Sequence, residues 1–384
     1  MRVASLLILS SLFLVQANPI LRRQEEETPR IPPGVRVIPV YPTAETDPAG
    51  TDGDDPAIWV HPKSKGKSTI ITTSKEDPID DGLFVFNLEG KKLQYIRGGK
   101  PDNVDVIYKF GKKKIDLTVA ACRTDNTICL HKINQNTGLL EPIAGGSQPT
   151  KPGFEVYGSC EYKSPKTGKQ YIFINSKTSE YLQYELTQTT TGALKTTLVR
   201  SFFAGKGGQV EGCTVDRDNG YLLLGEEDYG LWRYPAEPSA PLKPYLIDSV
   251  NATAGGKLVP DVEGVSLFYG KKKDEGYIIV SVQGISAYNV YERKYPHKYI
   301  FTFGIRQKGY GGIDAVQETD GLAVISTKVN SKYPNGLLVV HDDNKTYKNG
   351  TVAEHTTFKM VSWEDIVKAS GKKLKFNPSW DPRA

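Results

Sequence analysis

The sequence predicts an all-β fold, a six-bladed β-propeller of four antiparallel strands per blade, and three observations lead to it. A two-part pattern recurs six times at roughly 45–60-residue spacing, the length of one blade. Turn pairs such as Asn219-Gly220, Asp81-Gly82, Thr137-Gly138 and Thr167-Gly168 punctuate short β-branched and aromatic runs. The composition, 37 Gly, 24 Pro and 21 Tyr against 2 Met in 384 residues, with mean hydropathy −0.40, suits strands and turns better than amphipathic helices. The clearest helical pattern is 362–369, where Ser362 can cap the backbone and Asp365 sits at the third helical position.

Each repeat opens on an acidic or polar residue, and a strand fifteen to twenty residues on closes on another. Asp54-Asp55-Pro56-Ala57-Ile58-Trp59 pairs with 70–75, Asn103-Val104-Asp105 with 117–123, and Val156-Tyr157-Gly158 with 172–177. Val210-Glu211-Gly212 pairs with 222–227, Asp261-Val262-Glu263-Gly264 with 278–283, and Thr319-Asp320-Gly321 with 337–342. If each first strand starts where its antiparallel neighbour ends, these polar residues meet at one mouth. Repeat six lacks a fourth strand, and Arg36-Val37-Ile38-Pro39-Val40 is expected to supply it, sealing an exposed sheet edge.

The first 17 residues read as a secretory signal: Arg2, an apolar run from Val3 to Val15, then Ala17. Arg22-Arg23 is a candidate processing site, and 18–34 reads as a propeptide or disordered tail. One propeller domain then fills 35–384. Secretion makes the four cysteines disulfide candidates. Of three connectivities, Cys122–Cys129 across a hairpin with Cys160–Cys213 at matching repeat positions is favoured. Asn251, Asn344 and Asn349 begin glycosylation sequons.

The net charge of +5 falls to +2 if Arg2, Arg22 and Arg23 are removed, so the basic balance says little about nucleic acid. The lysine clusters 112–114, 271–273 and 372–373 lie in expected turns or tail and lack interleaved aromatics. A monomer with neither nucleic-acid nor membrane partner is expected. There is no Gly-x-Ser-x-Gly, Walker loop or His-Glu-x-x-His, and the 5 His are scattered. What remains is carboxylate. Asp54, Asp55, Asp105, Glu211, Glu226, Glu227, Asp261, Glu263, Asp320 and Asp342, with Gln283, would crowd one mouth and repel unless cations neutralise them. Oxygen-only donors select a hard ion, calcium before magnesium. Lys75, Arg123 and Lys177 end the second strands of repeats one to three, so the cleft is polarised and suits a phosphate ester.

At this point the chain resembles the β-propeller (alkaline-type) phytases. The motifs that carry the likeness include Asp54-Asp55-Pro56-Ala57-Ile58-Trp59, Thr72-Thr73-Ser74-Lys75, Asn103-Val104-Asp105, Glu155-Val156-Tyr157-Gly158, Glu226-Glu227-Asp228, Pro260-Asp261-Val262-Glu263-Gly264 and Phe358-Lys359-Met360-Val361, in order from Pro39 to Arg383. The resemblance implies hydrolysis of phytate, myo-inositol hexakisphosphate, with several calcium ions. It implies Asp55, Glu211, Glu227, Asp261, Glu263 and Gln283 as catalytic calcium ligands, and Asp314 and Asp320 as structural or bridging ones. Lys75, Arg123, Tyr157 and Lys177 would contact phosphate. The stretch 311–319 is poorer in Asp than the family pattern, and the cysteines lie outside it. The alternatives are a calcium-stabilised propeller that binds a sugar or polyanion without cleaving it, and a sugar lactonase.

Overall fold

A computed structural model describes residues 30–75 and 80–384, so the expected signal segment, the Arg22-Arg23 site and most of the tail lie outside the described residues. Six antiparallel sheets surround one axis. Their inner strands are Gly53–Trp59, Pro101–Phe110, Gly158–Lys163, Val210–Asp216, Val262–Tyr269 and Leu322–Ile325. Each pairs with the next strand in sequence, as the six repeats predict.

Buried apolar residues form six clusters, each lying between two neighbouring blades. Trp59, Ile71, Val104 and Ala120 join blades one and two, while Phe173, Tyr181, Leu222 and Trp232 join three and four. Ile58, Phe84, Leu337 and Phe358 join six to one. No blade buries its faces alone, so the ring must close to be stable.

Closure differs from expectation in its residues. Ala44–Glu45 pairs antiparallel with Met360 and Lys359 and is the fourth strand of blade six. Val37–Val40 instead adds a fifth, parallel strand to blade five, Val37 opposite Thr302 and Val40 opposite Ile305. The N-terminal strand still closes the last blade, but two residues do it, and the stronger apolar run covers the neighbouring edge. The helix is Trp363–Ala369, and the Ser362 side chain makes no cap bond; its Oγ is buried. Trp363, Ile366 and Val367 pack into the core between blades five and six, so tertiary burial rather than capping holds it.

Both expected disulfides are present. Cys122–Cys129 spans the hairpin of the second and third strands of blade two, and Cys160–Cys213 ties blade three to blade four across 53 residues. A loop that long limits the unfolded chain by about 4 kcal/mol in the entropic account. The C-terminal tail closes the axis away from the mouth. Trp380 stacks on Tyr269, Arg217 donates to the Pro382 carbonyl, and Arg383 pairs with buried Asp116.

Candidate active site

Four inner strands share one irregularity at their mouth ends. The ladder runs Gly53–Ser74 then Pro56–Thr72 in blade one, and Pro101–Cys122 then Val104–Ala120 in blade two. It runs Val210–Glu226 then Cys213–Leu224 in blade four, and Val262–Val282 then Val265–Val280 in blade five. In each, two inner residues oppose one on the neighbour, a bulge that re-aims side chains. The first of the two is Asp54, Asp102, Glu211 or Glu263. The second faces the crowded neck, where a Cβ on Gly212 would stand 2.6 Å from Gly264 Cα, and one on Gly264 2.9 Å from Gly321 Cα.

The bulges bring the acids together. Oxygens of Asp54, Asp102 and Glu211 lie within 4.8 Å of one another, as do those of Glu211, Glu227 and Glu263. Glu211 is the shared corner. Burial raises the pKa of Glu263, helped by the charges of Glu211 and Asp320. Burial likewise raises Asp102, beside Asp54 and Glu211, and pushes Glu227 up to about 7 next to Glu211. Asp54 goes the other way: burial opposes its charge, but the Lys75 ammonium at 2.7 Å holds it well below the usual range. Lys75 also reaches Asp320 at 3.2 Å and Glu211 at 3.4 Å.

Whether these residues suit a cation can be tested on their hydrogen bonds. Glu227 Oε1, Glu263 Oε2 and Asp102 Oδ1 are buried and have no hydrogen-bond partner among the described residues. A buried carboxylate oxygen left so is costly unless a cation meets it. Oxygen donors of this charge and spacing fit a hard divalent ion.

Of the expected basic residues, Arg123 and Lys177 gather around Tyr157, while Lys75 stands among the acids instead. The Tyr157 hydroxyl donates to Glu211 Oε2 at 2.9 Å and accepts from Gln209 Nε2 at 3.0 Å. Lys177 Nζ, exposed, lies 4.5 Å from the Tyr157 ring centre, and the Arg123 guanidinium 5.5 Å. Arg123 also meets Asp102 at 3.4 Å.

The other expected ligands divide. Asp320 is in the cluster, accepting from Gln283 Nε2 as well as Lys75. Asp261, held at positive φ, donates its N–H to the Glu227 carbonyl at 3.1 Å. Asp55 accepts from Val104 N and lines the narrow axial cavity of about 130 Å³ below the cluster. Asp105 lines that cavity too, fixed by Val106 N and Glu161 N. Glu226 is turned aside: it accepts from Lys206 N, Gly208 N and Trp232 Nε1, and so pins the loop before blade four. Asp314 and Asp342 stand apart with Glu45, where Lys359 contacts all three carboxylates and Lys345 contacts Glu45 and Asp314. Asp105, Glu226, Asp314 and Asp342 are thus not brought into the mouth cluster, whereas Asp102, Gln209 and His341 are unexpected neighbours of it. Aligning the repeats by their bulges would have found Asp102, since it is the counterpart of Asp54.

A family model described as Phytase matches residues 7–384. The 3-phytase of Bacillus subtilis (strain 168) is 36% identical over 347 residues, 88% of this chain and 87% of that protein. Among solved structures, a protein from Lactobacillus plantarum aligns with TM-score 0.42 at 14% identity, covering 83% of this chain and 89% of that one. The WD40 domain of SCAP from fission yeast aligns with TM-score 0.40 at 11% identity, covering 83% and 62%. With the family model spanning nearly the whole sequence, and a relative of that identity over most of both chains, the chain belongs to the phytase family.

Proposed function

We propose that this protein hydrolyses phytate to lower inositol phosphates and inorganic phosphate, in a calcium-dependent reaction with no phospho-enzyme intermediate. The observation that carries the reading is the shared corner at Glu211: the unpartnered buried oxygens of Glu227 and Glu263 on one side of it, Tyr157, Arg123 and Lys177 on the other. Glu211, Glu227, Glu263, Asp54, Asp55, Asp102, Asp261, Gln283 and Asp320 are the groups that would hold the ions. Bound there, calcium would neutralise phosphoryl charge and acidify a water.

The chain's own residues do the remaining work. Lys177 and Arg123 grip the phosphoryl oxygens from the Tyr157 side, and Tyr157 orients them through its hydroxyl. Lys75 balances the acids beneath and meets the charge that grows on the equatorial oxygens. As the oxygen of the attacking water bonds to phosphorus, its proton passes to the Glu211–Glu227 edge, the phosphorus–oxygen bond to the inositol ring breaks, and the ring oxygen leaves with a proton from solvent. A sixfold phosphorylated ring suits a cleft with fixed cations on one side and acids on the other, since two phosphates can engage both.

Secretion fits the same reading: two disulfides are present, no helix among the described residues is long and apolar enough to cross a membrane, and 1–17 has the pattern of a cleaved signal. The test is phosphate release from phytate after exhaustive chelation and again after calcium is restored. Loss and recovery support the proposal. Full activity without calcium ends the metal role, and phytate bound but never cleaved favours a binding propeller.

A further inference from the structure

The turns joining first to second strands all lie at the end opposite the mouth, because each inner strand starts at the mouth and runs away from it. The topology therefore gathers lysines that are far apart in sequence. Blade two brings 112–114 and blade five 271–273, all exposed. Blade one adds Lys63 and Lys67, blade three Lys166, and blade six Lys328 and Lys332, again exposed. The tail returns beside them: Lys375 N donates to Tyr277 Oη and its ammonium pairs with Glu275 at 2.7 Å, which carries 372–373 to the same end. Lys112, Lys113 and Lys169 line one hollow on this face, and 271–273 line a second with Asn377 and Asp381.

The acids of these turns are already engaged. Asp116 is buried against Arg383, Asp216 and Asp218 pair with Arg293, and Asp274 and Glu275 pair with Lys294 and Lys375. Among the described residues, no ion pair engages 112–114, 271–273 or 372–373. The mouth end is acidic, so the molecule is polarised along its axis, with a positive field at the far end.

We propose that this lysine-rich face docks the enzyme on a linear acidic polysaccharide and leaves the mouth pointing outward. Charge complementarity with a repeating anion is the argument. The clusters sit at intervals around the axis, as a flexible chain with regularly spaced carboxylates or sulfates would meet them. Lysines recognise such a chain as point charges and need no fixed geometry. Bases would want stacking platforms, which these turns lack. At this end Phe376, Leu242 and Tyr295 are exposed but stand singly on separate turns and the tail, too little to enter a bilayer.

The experiment uses the whole protein and its K112Q/K113Q/K271Q/K272Q/K273Q/K372Q variant on immobilised polygalacturonate, with anionic phospholipid vesicles and duplex DNA as parallel probes. The wild type should bind the polysaccharide, lose at least about tenfold in affinity between about 50 and 200 mM salt, and lose about tenfold or more in the variant. K271Q/K272Q/K273Q alone should show part of that loss. Phytate turnover and Tm should be unchanged in both, since these side chains lie at the far end from the mouth. No binding by the wild type, or equal binding by the variants, would overturn the proposal. Tighter lysine-dependent binding to vesicles or DNA would overturn the partner class.

Discussion

Tyr157 Oη donates to Glu211 Oε2 at 2.9 Å, a bond that ties the ring beside Lys177 and Arg123 to the shared corner of the acid cluster. Glu211 belongs to both acid triplets, and Tyr157 carries Lys177 and Arg123 on its ring. Tyr157→Phe keeps the ring and deletes that bond, leaving one more acidic oxygen without a donor. Stability should fall by about 1.5–3 kcal/mol, the range for a bond to a charged group, and kcat for phytate should fall with KM less affected. Thermal unfolding and steady-state kinetics check both, and an unchanged kcat would show that the hydroxyl has no part in turnover.

Lys177→Ala and Glu211→Gln should separate the two sets. Lys177 is exposed and stands by the Tyr157 ring, so its loss should leave Tm unchanged while turnover falls by roughly 2.7–4 kcal/mol, a hundredfold or more. Glu211→Gln removes one negative charge from both triplets and should weaken calcium binding and turnover together. Raising calcium should partly rescue Glu211→Gln and do nothing for Lys177→Ala. Equal rescue of both would undo the division into phosphate-holding bases and metal-holding acids.

The metal-free protein should respond to pH through Glu227, raised to about 7 first by burial and then by Glu211. Between the ordinary carboxylate range and about pH 7 the folded state holds a proton that the unfolded state has released. Stability of the chelated protein should therefore fall as pH rises through that window. Calcium needs the ionised form, so its affinity should rise over the same interval and binding should release protons. Melting curves in chelator from about pH 5 to 8, with calcium isotherms at both ends, measure this; a flat profile in both would remove Glu227 from the cluster.

Lys359 acts as an internal cation for blade six. It is fully buried and contacts Asp342 at 2.6 Å and Asp314 at 2.9 Å, with Glu45 as a third partner. Burial disfavours its charge, yet Asp342 and Glu45 hold its pKa above the ordinary value. Lys359→Met leaves buried Asp342 without its ammonium and Glu45 and Asp314 with Lys345, and should cost about 3–5 kcal/mol. Added calcium should recover part of the loss if the position accepts any cation. Tm with chelator and with calcium decides, and a variant as stable as the parent would show that Lys345 alone suffices.

Closure of the ring can be tested by truncation. Removing residues 18–33 leaves Val37–Val40 and Ala44–Glu45 in place and should be tolerated. Removing 18–45 deletes Val37–Val40 from blade five, Ala44–Glu45 from blade six and the Glu45 contacts to Lys345 and Lys359. That protein should melt well below the first, and equal melting would contradict the closure.

What the sequence determined by itself is whatever repeats locally. The six strand pairs and the two disulfides were legible because period, turn signals and matching repeat positions show in the sequence. Lys75, expected on a basic side of the mouth, stands instead among the acids against Asp54, Asp320 and Glu211. Tertiary structure decided the rest. Asp102 rather than Asp105 joins the mouth because a bulge shifts register by one residue, and in a strand one residue is the difference between two faces. Glu226 and Glu227 are adjacent in sequence yet do different work, since Glu226 is drawn to the backbone of the Gly205–Gly208 loop. Glu45 meets Lys359 and Val37–Val40 meets blade five across about three hundred residues, pairings that exist only after the ring has closed. The same closure turns separate lysine loops into one face, because the inner strands all run away from the mouth.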